Sequence, residues 1–296
     1  PNTAETVQVS VNVPALPDNE TFVLTETGPN TGTFRNTAPV SSAVDPAVPG
    51  DGILQCVHNA TFTATYTDDD DPADTSNDSA SLQKGQTFST ISFTDSAGTT
   101  ITTYVVGTDL VYVTLFDDDE NLSPTVAETV QVLVQNILTG DREWLSLTAT
   151  GVDTDEFRNV GAGLATTVEA RNDFDGVLQV MGDPSAMNVV WTDSNPPGGD
   201  TTSAFAWLRL AQTTAVVEFV DAGGTPVTSY NVAADSIYVR ITDPDRNADP
   251  NNPDPFLPQV MVWNTVNGDW EDLTGDLVET GPNTGVWMGP VSTRSP

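Results

Sequence analysis

The chain repeats itself, and this constrains its fold more than any single motif does. Residues 25–36 read TETGPNTGTFRN, residues 148–159 read TATGVDTDEFRN, and residues 278–289 read VETGPNTGVWMG. Their shared glycines, Gly28, Gly151 and Gly281, lie 123 and 130 residues apart. Other segments return in the same register. ETVQVSV at 5–11 becomes ETVQVLV at 128–134, and DGILQC at 51–56 becomes DGVLQV at 175–180. The stretch from 91 to 121 returns at 217–247. A unit of this length must bury its own core, so each copy is a small domain.

The 296 residues hold about 2.4 copies. Only the copy at 88–208 is whole. The copy at 1–82 lacks the segment equivalent to 88–123, and the copy at 212–296 lacks the segment equivalent to 160–208. The expectation is that a neighbouring copy of the chain, in a homopolymer, or further sequence of a longer polypeptide completes each of them. The first residue is Pro1, which fits either a processed chain or a piece of something longer.

Within each copy the hydrophobic pattern has period two. Val7, Val9 and Val11 alternate with polar residues, as do Val130, Val132 and Val134, and Ile237, Val239 and Ile241. That is the signature of a half-buried strand. Turn signals recur every 8–12 residues: PDN, GPNTG, PGDG, DDDDP, SAG, NPPGG, AGG and DPDRN. No helical window of useful length is present. The predicted fold is all-β: tandem antiparallel β-sandwiches with no significant helix. SFTDSAGTTITTY reads as a hairpin turning at Ser96-Ala97-Gly98, and in GPNTG the left-handed positions fall to Gly28 and Gly32.

The charge excludes partners. Forty-two acids, 31 of them Asp, face eight Arg and one Lys, for a formal net charge of −33. No basic face for nucleic acid can be assembled from these residues, and an anionic membrane surface would repel them. No apolar run approaches the length of a membrane-spanning helix. With 38% hydrophobic residues in regular short runs, the acids belong on the surface, in loops or around cations rather than in a disordered chain. An acid surplus with one Lys also fits a surface adapted to salt.

Taken together, TDPDRN at 242–247, ETGPNTGTF at 26–34, GDGILQ at 50–55 and YTDDDDPADT at 66–75 resemble immunoglobulin-like repeats of very long prokaryotic extracellular and cell-surface proteins, including S-layer and adhesin-like proteins. The resemblance covers the whole chain. It implies an extracellular structural role in a filament or surface layer, often with bound calcium. The alternative it leaves open is an adhesin or carbohydrate-binding stalk. The middle copy departs from the pattern at Val152-Asp153-Thr154-Asp155, where the proline-glycine turn chemistry is lost.

The candidate chemistry is acidic. Asp117, Asp119 and Asn121 follow a strand with D-x-D-x-N spacing, and Asp243, Asp245 and Asn247 repeat it, with Asp249 added. Oxygen ligands at alternate positions of a tight loop suit Ca2+. The loop resembles the start of an EF-hand but is not one, because Leu122 and Ala248 stand where that loop needs Gly. A solvated acidic loop is the competing reading. A second candidate is the run containing Asp68 and Asp70, whose counterpart at 193–200 keeps only Asp193 and Asp200.

Other signals are weaker. Sequons at Asn19, Asn59, Asn77 and Asn121 offer sites for glycosylation. Cys56 and His58, the only residues of their kinds, share a strand face but are not repeated, so no catalytic residue is assigned and the chain is not read as an enzyme. All six Trp follow residue 143. Trp191 and Trp287 align with the core positions Tyr66 and Phe34, whereas Trp263 and Trp270 lack aromatic counterparts and are the candidates for an exposed glycan contact.

Overall fold

The computed structural model describes residues 3–193, 199–231, 234–255 and 259–291. Among them the chain is all-β, and its two short helical turns are single 3-10 turns, Asp118–Glu120 and Pro244–Arg246. Most of the NPPGG turn lies outside the described residues.

The first copy contributes β1 (Thr6–Val13), β2 (Asp18–Glu26), β3 (Phe34–Arg35), β4 (Ser41–Ala43), β5 (Ile53–Gln55), β6 (Ala60–Thr67) and β7 (Thr75–Leu82). The middle copy contributes β8 (Thr90–Thr94), β9 (Thr103–Val105), β10 (Tyr112–Phe116), β11 (Thr129–Asn136), β12 (Arg142–Ala149), β13 (Glu156–Arg158), β14 (Ala165–Thr167), β15 (Val177–Gln179), β16 (Ser185–Thr192) and β17 (Thr201–Arg209). The last contributes β18 (Val216–Val220), β19 (Tyr238–Thr242), β20 (Met261–Trp263), β21 (Trp270–Asp272), β22 (Val278–Glu279) and β23 (Val286–Pro290).

The middle copy forms one eight-stranded sheet in the order β8-β10-β13-β12-β11-β16-β17-β9. The sheet folds over so that β8 packs against β17 and β16, which gives the two layers of a sandwich. The period-two valines fill the space between them: Val130, Val132 and Val134 are buried against Val113, Leu115, Phe157 and Leu208. Trp191 and Trp287 are buried, as their alignment predicts.

Two details differ from the sequence expectation. Not every pairing is antiparallel: β4 with β5, β14 with β15, and β17 with β9 run parallel. The predicted hairpin turns as expected, with Gly98 at φ +93° and the Asp95 amide bonded to the Thr99 carbonyl. Its second arm, however, stays with β8 only as far as Ile101, and β9 then pairs with β17. The buried Tyr104 on β9 donates its hydroxyl to the Thr94 carbonyl at 2.7 Å, which ties the crossing strand back to β8.

The flanking sheets are parts of the middle one. The first copy has the order β3-β2-β1-β6-β7, equivalent to β13-β12-β11-β16-β17. The last has β18-β19-β23-β22, equivalent to β8-β10-β13-β12.

Candidate cation site

The D-x-D-x-N segment leaves β10 as a 3-10 turn, which folds its carboxylates back toward the sheet. Asp117 and Asp119 thereby meet Asp193, which follows β16 some 75 residues later. Carboxylate oxygens of these three buried residues lie within 4.8 Å of one another, the one such group among the described residues. Strand adjacency does not bring them together, because β10 and β16 are not neighbours in the sheet. They meet because the folded sheet places those two strand ends side by side.

The surroundings hold each group in place. Trp191 Nε1 donates to Asp117 Oδ2 at 2.8 Å. The Thr87 amide donates to Asp119 Oδ2 at 2.8 Å, and the Asp119 amide returns a bond to Thr87 Oγ1 at 3.2 Å. Asn121 is buried and donates Nδ2 to Asp153. Glu128 accepts the Leu122 amide. Burial, and then the neighbouring Asp119, pushes the Asp117 carboxyl up to about 8. Burial, and then the charges of Asp193 and Asp119, pushes Glu120 up to about 7. Clustered carboxylates without a counter-cation relieve their repulsion by retaining protons.

The residues fit a hard cation. Every facing donor is an oxygen, which suits Ca2+ and excludes soft metals. Asp117 Oδ1, Asn121 Oδ1 and Glu128 Oε2 are buried and make no hydrogen bond. A buried acceptor without a partner costs roughly 1–3 kcal/mol, more when charged, and a cation among the three aspartates would satisfy Asp117 Oδ1.

The other predicted ligands divide. Asp243 and Asp245 reproduce the Asp117–Asp119 pair: burial and then Asp245 push Asp243 up to about 6, and the hydrogen bond with Asp243 lowers Asp245. Asp243 Oδ1 and Asn247 Oδ1 are buried without hydrogen bonds. No described residue occupies the place of Asp193 beside them. Asp249 is not part of this pair, because its Oδ1 accepts the Asn251 and Asn252 amides of its own turn. Asp68 and Asp70 form no cluster either. Asp68 caps the β6–β7 turn through the Asp70 and Asp71 amides, and Asp70 is exposed.

Asp193 is the third carboxylate of the cluster, and the sequence offered it only as a remnant of the weaker second candidate. It aligns with Asp68, which lies in the denser acidic run of the first copy, where most of the acids are exposed.

At the junction between the first and middle copies the His58 amide donates to the Leu122 carbonyl. Lys84 Nζ bonds Asp118 Oδ1 and the Asn121 carbonyl at 3.0 and 3.1 Å. The Gly182 amide donates to the Ala248 carbonyl in the same way at the next junction. Cys56 and His58 have separate partners. The thiol faces the Ala43 carbonyl and is pushed up by burial and then by Asp18, while His58 Nδ1 accepts the Lys84 amide. Among the sequons, Asn19, Asn59 and Asn77 are exposed, and Asn121 is buried. Trp144, Trp207, Trp263 and Trp270 are all at least half exposed.

No protein-family model matches the chain, and no curated protein does. Among solved structures the chain is similar to the crystal structure of a tetra-tandem repeat in the extending region of a large adhesion protein. The two share 13% identity with a TM-score of 0.42, over 98% of this chain and 58% of that one. This chain therefore spans less than two thirds of that structure's length. No described helix is long and apolar enough to cross a membrane.

Proposed function

We propose that the chain is a length of an extracellular, adhesin-like stalk, built from tandem sandwiches of the immunoglobulin-like kind, with Ca2+ bound where a repeat begins. The observation that carries this reading is the buried trio Asp117, Asp119 and Asp193 beside buried oxygens that make no hydrogen bond. The trio joins the turn after β10 to the end of β16, and Asp119 also clasps Thr87, just ahead of β8. A cation held there would close the sandwich and fix the linker with one set of contacts, which stiffens a string of repeats. Binding only to the folded state would add about 2.7 kcal/mol at a free cation level a hundredfold above Kd.

The test is thermal unfolding with Ca2+ and with chelator, alongside small-angle scattering. The reading expects a higher Tm and a longer, stiffer particle with Ca2+. An unchanged Tm with no saturable binding would remove the cation from the proposal.

The partial sheets extend the reading. Strands that cover them come from another copy of the chain, as in a filament or surface layer, or from adjoining sequence of one long polypeptide. Sedimentation of the isolated chain separates these: concentration-dependent polymers favour the first, and a persistent monomer the second. A second reading, a carbohydrate-binding stalk, is favoured by the exposed Trp263 and Trp270, paired across β20 and β21.

A further inference from the structure

The repeats supply an internal control for their own surfaces. On the outer face of the middle sheet, one row across four strands reads Trp144, Leu133, Val190, Ser203, and the next reads Arg142, Gln135, Asn188, Phe205. In the first copy the equivalent rows read Thr21, Ser10, Thr65, Asn77 and Asn19, Asn12, Thr63, Ser79. The register is the same, yet the first copy is polar throughout. The fold therefore does not require an aromatic face there, and the exposure of Trp144 and Phe205 belongs to the middle repeat alone.

Phe174 sharpens the contrast. It occupies the turn position that Gly50 holds in the first copy, and its φ is +65°, where Gly50 has +84°. A bulky side chain is unfavourable in that left-handed region, and such strain gathers at ligand clamps. The half-exposed Phe174 ring lies near parallel to the Trp144 indole, with centroids 6.4 Å apart and planes 13° from parallel. The Arg142 guanidinium sits 5.5 Å above the Phe174 ring. Arg142 is itself held at 2.9 Å by Asp173, which also binds Arg171. The result is an aromatic platform fixed by a charged bracket, with hydrogen-bonding side chains along the neighbouring strands.

We infer that this face of the middle repeat binds a glycan, with a pyranose ring stacked on Trp144 and Phe174. Pyranose rings whose substituents are equatorial present a flat face of C–H groups, which the negative face of an aromatic ring attracts. Their hydroxyls lie at the ring edge, where Arg142, Arg171 and Gln135 can bond them. The row from Trp144 through Leu133 to Val190 spans about 10 Å at the spacing of neighbouring strands, room for two linked rings. A protein partner would require a wider apolar area than two short rows interrupted by Arg, Gln and Asn. The inference shares only its ligand class with the carbohydrate-binding reading of Trp263 and Trp270, and it does not depend on the cation.

The test is calorimetric titration of the whole chain with cellohexaose, chitohexaose and mannohexaose, comparing the native protein with Trp144→Thr, Phe174→Gly and a Trp263→Ala/Trp270→Ala double variant. The first two install the first copy's own residues, so the fold is preserved, and thermal unfolding checks it. The expected result is binding of at least one hexasaccharide, weakened at least tenfold by Trp144→Thr and by Phe174→Gly and unaffected by the double variant. Binding lost only in the double variant would overturn this site while leaving the carbohydrate reading intact. No binding of any of the three sugars by the native chain would overturn both.

Discussion

At the scale of single residues, one substitution within the repeats explains a loop. Glu26 Oε1 accepts the Thr31 and Gly32 amides, and Glu279 Oε1 accepts those of Thr284 and Gly285. In both turns an Asn and a Gly adopt positive φ: Asn30 and Gly32, then Asn283 and Gly285. Gly28 does not, which corrects the sequence assignment of the left-handed positions. The middle copy has Ala149 in place of the glutamate, and there the Asn and Gly are gone too, replaced by Asp153 and Asp155. The turn still closes, because Thr150 bonds Glu156 as Thr27 bonds Thr33 and Thr280 bonds Val286. The carboxylate therefore serves the left-handed amides rather than turn closure. The Gly32 amide foremost, against desolvation, and then the Glu5 and Thr31 amides hold the Glu26 carboxyl below the usual range. Its contribution to stability is present above the ordinary Glu pKa and is lost as pH falls through the lowered one. NMR titration of Glu26 should show the depressed pKa, and a Glu26 that titrates at or above the ordinary value would mean the amides are not held. A second residue prediction concerns Gly199, where any Cβ would collide with the Asp193 carboxylate. Gly199→Ala should displace Asp193 and reduce the Ca2+-dependent rise in Tm, whereas Asp193→Asn should remove that rise without lowering Tm in chelator. A large loss of Tm in chelator for Asp193→Asn would show a structural role instead.

At the scale of elements, a buried acid latch holds the sheets of the first and middle copies to the loops that cross them. Asp18 Oδ2 accepts the Gln55 amide at 3.0 Å, and Glu20 gathers the Gly50, Asp51 and Gly52 amides. The middle copy repeats this with Asp141 on Gln179 and Glu143 on Asp175 and Gly176. Acids at the start of β2, and at or just before the start of β12, thus fix β5 and β15 through carboxylates that are nearly inaccessible. Glu143→Ala strips two amides of their acceptor and should destabilise the middle repeat by about 1–3 kcal/mol in a denaturant titration; a change within 0.5 kcal/mol, roughly that of an ordinary surface substitution, would mean water replaces the carboxylate. These acids show where the sequence was legible. The period-two valines and the repeated turns carry the strands in full view, though not the parallel pairings of β4 with β5, β14 with β15 and β17 with β9. Asp18 and Glu20 sit in a polar-looking stretch, and nothing local marks them as buried, because their partners lie 30 or more residues away. The meeting of Asp193 with Asp117 and Asp119 was hidden for the same reason: the strands they follow, β16 and β10, are not adjacent. Local spacing shows half of the cluster, and only the folding of the sheet shows the other half.

For the whole molecule, the three copies differ in how completely their cores are covered. Phe93 is 1% exposed where β17 lies over it, whereas its counterpart Phe219 is 46% exposed. Ile237, Phe219, Tyr230 and Val262 line an open groove of about 290 Å3 on the last copy. β7 is exposed along nearly its whole length, while its counterpart β17 buries Ala206 and Leu208. The carboxylate cluster follows the same division. Asp68 belongs to the first partial sheet and Asp243 with Asp245 to the last, so only the middle repeat joins all three positions among the described residues. Amide protection follows covered apolar contacts, and a cation stabilises only the unit that binds it. In hydrogen exchange of the isolated chain, β11 and β16 should therefore exchange more slowly than their equivalents β1 and β6. Added Ca2+ should slow exchange in the middle copy first, with one strong site per chain in calorimetry. Extending the chain so that the last copy gains its remaining strands should add a second strong site, since Asp243 and Asp245 would then face an equivalent of Asp193. Equal protection in all three copies, or two strong sites in the chain as it stands, would show that the cluster does not need the complete sandwich. The link between closing the sheet and binding the cation would then fail, and with it the account of how these repeats stiffen.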